Sequence, residues 1–233
     1  MANIILVHGA FVDGSCWAQV IPLLWKAGHR AIAVQNPTTT LEEDIAAAKK
    51  AMREASGSPT VLVGHSYGGT IISAVGSGER DVIGLVYVAG FANDRGQSID
   101  DIVAKYPTTD ALKTVRGDEN GWTILDRVSF PEVFAADVPI EQAKLMAASQ
   151  QKLGPTCFAT PLPVEPAWKK IPSWYVLSEK DRTVHPRAQR EMATKIGAKV
   201  MSIPASHASP LSRPDVVAEA IIKAATQKSF VTG

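Results

Sequence analysis

The sequence has little of what marks secreted, membrane-spanning or nucleic-acid-binding proteins. It holds two cysteines, Cys16 and Cys157, and they do not have the spacing of metal ligands. No apolar run approaches the roughly 20 residues of a membrane-spanning helix. The net charge is +1, so there is no strong basic character for nucleic acid or acidic membranes. We therefore expect a cytoplasmic protein with free thiols, no metal or other cofactor, and no nucleic-acid or membrane partner.

The N-terminus also lacks the features of a signal peptide. It has no basic region, and its apolar run at residues 4–7 is short and leads straight into a glycine-containing loop. This run is typical of a buried strand. The chain of 233 residues, 45% of them hydrophobic, is long enough for one sizeable core that carries an insertion.

Short β-branched runs alternate with helical patterns, which is typical of a parallel sheet covered by helices on both faces. The predicted strands lie at residues 4–7, 31–34, 59–63, 82–89, 173–177 and 199–203. Pro22 interrupts the first helical pattern, where we expect a kink or a restart. The predicted fold is therefore α/β, with a roughly six-stranded, mainly parallel sheet.

The alternation stops between residues 91 and 168, a segment that we call the insertion. It contains no long β-branched run, and helical patches occur near 98–105, 109–115 and 139–152. We expect a helical cap over the carboxyl edge of the sheet, with residues 1–90 and 169–233 forming the core. Some of its apolar side chains should face that edge, with Trp122, Phe130, Val133, Phe134, Met146, Phe158 and Leu162 as candidates.

The most informative motif is G-x-S-x-G at Gly64–Gly68, between an apolar strand and an apolar helix. This context is typical of a nucleophile elbow, a tight turn that exposes a strained serine at the start of a helix. Ser66 is the candidate nucleophile. We expect the adjacent His65 to point away from it.

Other polar residues follow the ends of other predicted strands, where ligands bind in open parallel sheets. A serine needs a base, and the base needs an acid to orient it. His207, just after the last strand, is the candidate base, and Asp181 is the preferred acid. Asp94 stays open as a second candidate acid, while Glu179 is more typical of a surface charge. Ion pairing of Asp181 with Arg182 at the surface is the alternative without function.

An oxyanion hole needs two fixed N–H donors. The Tyr67 backbone follows the nucleophile directly, and the loop after the first strand offers Ala10, with Phe11 as second choice. The insertion should make the pocket apolar and partly closed to water, and we expect the Tyr67 side chain to form part of its wall or floor.

These residues resemble the α/β-hydrolase superfamily. The L-V-H-G-A loop from Leu6, the elbow and the S-H pair at His207 are similar to small, cap-bearing serine esterases, which include plant methylesterases, hydroxynitrile lyases and bacterial relatives. The likeness covers nearly the whole chain except the insertion. It implies an α/β-hydrolase fold that starts at the superfamily's third strand, with Ser66, His207 and Asp181 as the triad.

The resemblance implies a cofactor-free hydrolase that cleaves small, largely apolar esters or lactones through an acyl-enzyme. Hydroxynitrile lyases of this fold have Thr where this chain has Gly9 and Lys where it has Ala208, so lyase chemistry is the weaker alternative. A small-ligand receptor on the same fold stays open as a non-enzymatic alternative. The partner we expect is a small ester substrate, and the sequence leaves a homodimer open.

Overall fold

A computed structural model describes residues 1–55 and 57–227. These residues form strands numbered here in chain order: β1 (Asn3–Val7), β2 (Arg30–Val34), β3 (Thr60–His65), β4 (Val82–Val88), β5 (Val115–Gly117), β6 (Thr123–Leu125), β7 (Ser173–Ser178) and β8 (Lys199–Ile203). The α-helices are α1 (Ile21–Lys26), α2 (Leu41–Glu54), α3 (Gly68–Val75), α4 (Ile99–Val103), α5 (Asp110–Lys113), α6 (Phe130–Val133), α7 (Ile140–Ala148), α8 (Pro186–Lys195), α9 (Ser209–Ser212) and α10 (Pro214–Thr226).

The main sheet has the order β2-β1-β3-β4-β7-β8, and every neighbouring pair is parallel. The predicted six-stranded parallel sheet is therefore confirmed. The chain runs outward from β1 to β2 and then crosses back to β3. Because such crossovers are right-handed, the reversal places α1 and α2 on opposite faces of the sheet. Helix α10 packs beside α1, and α3 packs beside α2.

The core lies on both sides of the central strands. Every residue of β1, β3 and β7 is buried, which agrees with their largely apolar composition. The helical structure restarts near Pro22, which is one of the two predicted outcomes. A 3₁₀ turn at Gly14–Trp17 ends before α1 begins, and Pro22 lies in the first turn of α1. Within the described ranges, no helix combines the length and the apolar character that crossing a membrane requires.

The insertion lies between β4 and β7 and differs in part from the prediction. Helices α4, α5 and α7 fall in the predicted helical patches, but β5 and β6 form an antiparallel hairpin that was not predicted. The patch at 109–115 is helical over Asp110–Lys113 and then enters β5. The division into core and insertion stays a prediction, and residues 228–233 of the predicted core lie outside the described ranges.

Candidate active site

The elbow has the tight geometry that its glycines indicate. Ser66 joins β3 to α3 with a φ of 53°, in the left-handed region that non-glycine residues rarely occupy. A Cβ atom on Gly64 would lie 2.4 Å from the Gly68 carbonyl oxygen, and one on Gly68 would lie 2.4 Å from the Val7 carbonyl oxygen. Larger residues at either position would open the turn. The Ser66 backbone is fixed on both sides, since its N–H donates to Val88 and its carbonyl accepts from Phe91.

The structure brings His207 and Asp181 together. Nδ1 of His207 lies 2.7 Å from Oδ2 of Asp181, and both side chains are fully buried. The same carboxylate accepts hydrogen bonds from the Thr183 and Val184 N–H groups at 2.7 and 2.9 Å, and from Gln189 at 2.7 Å. Four donors therefore hold Asp181 in place, and it in turn orients the imidazole.

Neither of the other two carboxylates is bonded to His207. Oδ1 of Asp94 lies 2.8 Å from Nζ of Lys169, in an ion pair that is partly exposed. The Lys169 hydrogen bond lowers the pKa of Asp94. Glu179 accepts a hydrogen bond from Ser202 at the surface. Of the three acids considered, the structure places Asp181 against the histidine.

The other ring nitrogen of His207 is available. Because Nδ1 donates to a carboxylate, Nε2 of the neutral ring carries the lone pair. Within the described ranges this buried Nε2 has no hydrogen-bond partner, so the structure does not include a Ser66–His207 hydrogen bond. Such contacts in unliganded enzymes are often long and tighten when substrate binds. An unpaired Nε2 at the edge that carries Ser66 is what a general base requires.

His65 is an additional residue at the site, and the sequence interpretation had not assigned it a role. Its Nε2 donates to the backbone carbonyl of His207 at 2.9 Å, and the two ring centroids are 4.7 Å apart. Complete burial and the nearby His207 lower the pKa of His65 well below its usual value, so its ring is neutral. His65 therefore braces the loop that carries the candidate base.

The loop after β1 passes directly over Ser66. A Cβ on Gly9 would lie 2.8 Å from the Cβ of Ser66. Nδ1 of His8 donates to the Gly9 carbonyl at 2.8 Å, which fixes the peptide that ends in the Ala10 N–H. Phe11, the next residue of this loop, has a φ of 65°, which also lies in the left-handed region. In the part of the chain that the structure describes, the N–H groups of Ala10, Phe11 and Tyr67 have no protein acceptor.

A narrow apolar pocket opens at Ser66, and no charged side chain is among the described residues that line it. Phenylalanines form much of its wall, with one from the core (Phe11) and three from the insertion (Phe91, Phe134 and Phe158). Thr183 and Val184, on the loop that carries Asp181, also line it and were not predicted to do so.

The remaining predicted wall residues lie elsewhere. Phe130, Val133 and Leu162 are buried in the core, Met146 lines a separate groove, and Trp122 is half-buried. The prediction that Tyr67 forms part of the pocket is wrong for its side chain. Its hydroxyl donates to the buried Asp44 at 2.7 Å, so the ring lies behind Phe158 rather than in the pocket.

Segment 130–138 of the insertion contacts the loops of both the candidate acid and the candidate base. Asp137 accepts hydrogen bonds from the N–H of Ser206, at 2.9 Å, and from its hydroxyl. The Ala208 N–H donates to the Phe134 carbonyl at 3.1 Å, and the Thr183 hydroxyl donates to the Val133 carbonyl at 3.0 Å. The insertion is thus attached at the site itself.

Comparisons with known proteins agree with this fold and site. A family model described as the Alpha/beta hydrolase family matches residues 4–220. A pyrethroid hydrolase from Sphingobium wenxiniae is 30% identical over 245 residues, which cover 95% of this chain and 86% of the relative. Methylesterase 8 from Arabidopsis thaliana is 25% identical over 209 residues, which cover 82% of this chain and 76% of the relative.

Solved structures show the same architecture. The crystal structure of a pyrethroid hydrolase from Sphingobium faniae has a TM-score of 0.82 and 29% identity, and the match covers 97% of this chain and 98% of that one. A polyneuridine aldehyde esterase has a TM-score of 0.81 at 19% identity, covering 97% and 99% of the two chains. At that identity the second likeness shows the fold alone. The resemblance and the fold predicted from the motifs are confirmed.

Proposed function

Because the chain belongs to the alpha/beta hydrolase family, we propose that it is a serine hydrolase of small, largely apolar carboxylic esters or lactones. The observation that carries the proposal is the buried His207–Asp181 pair, whose Nε2 is unpaired at the edge where the elbow presents Ser66. The names of the relatives, a pyrethroid hydrolase and a methylesterase, support ester hydrolysis.

In the proposed reaction, Oγ of Ser66 attacks the ester carbonyl while Nε2 of His207 takes the hydroxyl proton. Asp181 stabilises the imidazolium that forms. The tetrahedral oxyanion accepts hydrogen bonds from the N–H groups of Tyr67 and Ala10, or Phe11 in place of Ala10. The C–O bond then breaks, and His207 gives the proton to the leaving alcohol. Water attacks the acyl-enzyme by the same steps and releases the carboxylic acid.

The pocket supports uncharged substrates. Its wall is made of phenylalanine and aliphatic side chains, and the hydroxyl of Thr183 already donates to the Val133 carbonyl. A substrate that carries a free carboxylate would lose the hydration of that group there without gaining a partner, which is strongly unfavourable. Apolar acyl and alcohol groups are therefore the better substrates.

The test uses p-nitrophenyl esters of increasing acyl length with the wild-type chain and Ser66→Ala. We expect saturable turnover by the wild type, and a loss of about 10⁶-fold in kcat without the nucleophile. Ser178→Ala is the matched control, because it removes another buried serine hydroxyl, one without a hydrogen-bond partner in the described ranges. A folded wild type that neither turns over these esters nor shows a burst of p-nitrophenol would contradict the proposal.

The same proteins separate the alternatives. Cyanide release from mandelonitrile, lost in Ser66→Ala, would indicate the lyase reaction. That outcome is not expected. The threonine that the lyases have at the Gly9 position would collide with Ser66 here, and Ala208 supplies no cation in place of their lysine. Tight binding of an ester with no turnover would indicate a receptor.

A further inference from the structure

The proposed reaction does not use one buried carboxylate close to the elbow. Asp44 lies in the first turn of α2, and its side chain is fully buried. The positive end of a helix dipole stabilises a carboxylate at this position. Burial acts in the opposite direction and raises the pKa of Asp44 to about 6. At the pH of an esterase assay, near 8, the group is ionised.

One oxygen of this carboxylate fixes the residue that follows the nucleophile. Oδ2 accepts a hydrogen bond of 2.7 Å from the hydroxyl of Tyr67. The Tyr67 ring is fully buried, and its backbone N–H is one of the proposed oxyanion donors. A hydrogen bond at the tip of the side chain holds the ring in place, so Asp44 helps to anchor the residue whose backbone carries that N–H.

The other oxygen fixes the loop on which the insertion rests. Oδ1 accepts a hydrogen bond of 2.7 Å from the N–H of Thr38, which has a left-handed φ of 53°. Thr38 in turn donates from its hydroxyl to the Lys152 carbonyl at 2.7 Å and accepts from the Gly154 N–H at 2.7 Å. Asp44 therefore helps to hold a strained backbone turn against segment 152–154 of the insertion.

The two ends of this network meet again at the pocket. A few residues beyond Gly154, Phe158 lines the pocket beside Ser66, and its ring centroid lies 5.9 Å from that of Tyr67. One carboxylate thus ties both the backbone that precedes this pocket wall and the aromatic ring on which the wall rests.

We propose that Asp44 is a positioning residue for ester hydrolysis, which sets the Tyr67 N–H and the Phe158 wall relative to Ser66. This inference rests on the function proposed above. It assigns Asp44 a role in the geometry of the transition state, beyond the stability that any buried hydrogen bond supplies.

Two substitutions at Asp44 separate its shape from its charge. Asp44→Ala removes both hydrogen bonds. Asp44→Asn keeps both without the charge, because its Oδ1 can accept from Thr38 and its Nδ2 can donate to the Tyr67 oxygen. Tyr67→Phe breaks the connection to the elbow alone. Tyr87→Phe is the matched control, since it removes a buried tyrosine hydroxyl that bonds Ser73 at 2.9 Å, away from the pocket.

The measurements are kcat and KM with p-nitrophenyl acetate at pH 8, and the inhibition constant of an aryl trifluoromethyl ketone, whose adduct with Ser66 mimics the oxyanion. Asp44→Ala should lower kcat by about tenfold, less than the 10²–10³-fold seen when a whole oxyanion donor is lost. The inhibition constant should rise by a similar factor, with little change in KM. Tyr67→Phe should shift kcat and the inhibition constant in the same direction, and Asp44→Asn should recover most of both.

If Asp44→Ala does not fold, the comparison of Tyr67→Phe with Tyr87→Phe decides. Loss of stability with wild-type kcat in Asp44→Ala or Tyr67→Phe would overturn the proposal. An equal loss of kcat in Asp44→Asn and Asp44→Ala would also overturn it, because the effect would then come from charge. A wild type without turnover and without fluorophosphonate labelling of Ser66 would overturn the proposed function and this proposal with it.

Discussion

At the scale of single residues, the site depends on which acid holds the histidine. Asp181 has four donors around its carboxylate and is buried, whereas Asp94 is paired with Lys169 near the surface. Exposed ion pairs of the second kind contribute little, typically up to about 1 kcal/mol. Replacing each aspartate by asparagine, which has the same shape, therefore gives two matched variants that differ only in which candidate acid is lost.

Asp181→Asn should lower kcat for p-nitrophenyl acetate by about 10⁴-fold, because an amide favours the wrong tautomer of His207. Asp94→Asn should stay within about twofold of the wild type, since its ion pair is exposed. Steady-state kinetics of the two purified variants at pH 8 check this. The reverse pattern would make Asp94 the acid.

The sequence predicts the backbone of the elbow better than the directions of the side chains around it. The elbow is a local structure, so Gly64 and Gly68 indicate it without knowledge of the rest of the fold. The direction of the Tyr67 ring depends on Asp44, which arrives from another helix, and the prediction for that ring was wrong. The role of His65 depends likewise on the path of the His207 loop, which no short motif encodes.

At the scale of elements, the insertion is bonded to the loops that carry the candidate acid and the candidate base. Asp137 caps the Ser206 end of the histidine loop, while Glu132 on α6 pairs with Arg182 beside the acid. The Glu132 pair lies at an exposed surface. Asp137 and Glu132 lie in the same short stretch of the insertion, but Asp137 bonds the histidine loop whereas Glu132 pairs with an exposed arginine.

Asp137→Ala should lower kcat/KM by about 10- to 100-fold, because a small displacement of a catalytic group is enough for such a loss. Glu132→Ala, the control, should change it by less than about threefold, since exposed ion pairs contribute little. Hydrogen exchange should show faster exchange of the Ser206 and Ala208 amides in the first variant alone. Equal effects of the two substitutions would contradict this role.

The elements also differ in how readily the sequence indicates them. Strands β1, β3 and β4 consist of buried β-branched runs, and their positions were predicted within a residue or two. The hairpin of β5 and β6 was missed because its strands are short and half of their residues are polar or glycine. Its pairing depends on contacts made by the folded insertion, including a β-bridge from Thr123 to Leu153.

At the scale of the whole molecule, two buried histidines link stability to pH. Burial lowers the pKa of both His8 and His65. The unfolded chain binds protons on these residues below about pH 6.5, whereas the folded chain binds them only at lower pH. The unfolded state therefore gains protons as the pH falls. The stabilisation is fully present above pH 6.5 and is lost progressively below it.

The His65 contribution to the free energy of unfolding should consequently fall below pH 6.5, with a slope of up to about 1.4 kcal/mol per pH unit. His65→Asn should be less stable at pH 8, because its bond to the His207 carbonyl is lost, but its curve should be flatter between pH 6.5 and 5. Urea unfolding followed by both fluorescence and circular dichroism measures this. Parallel curves for the two proteins would show that His65 does not carry the linkage.

The attachment of segment 130–138 to the loops of both the candidate acid and the candidate base affects how substrate range can change among related chains. Phe134 lines the pocket, while its carbonyl holds Ala208 and the neighbouring Asp137 holds Ser206. Exchanging the insertion for that of a relative would thus replace the support of the histidine loop together with the pocket wall. A chimaera that keeps the native stretch 130–138 and exchanges the rest of the insertion should change the choice of substrate while the histidine loop keeps its support. Comparing it with a full exchange separates effects on substrate selectivity from effects on kcat.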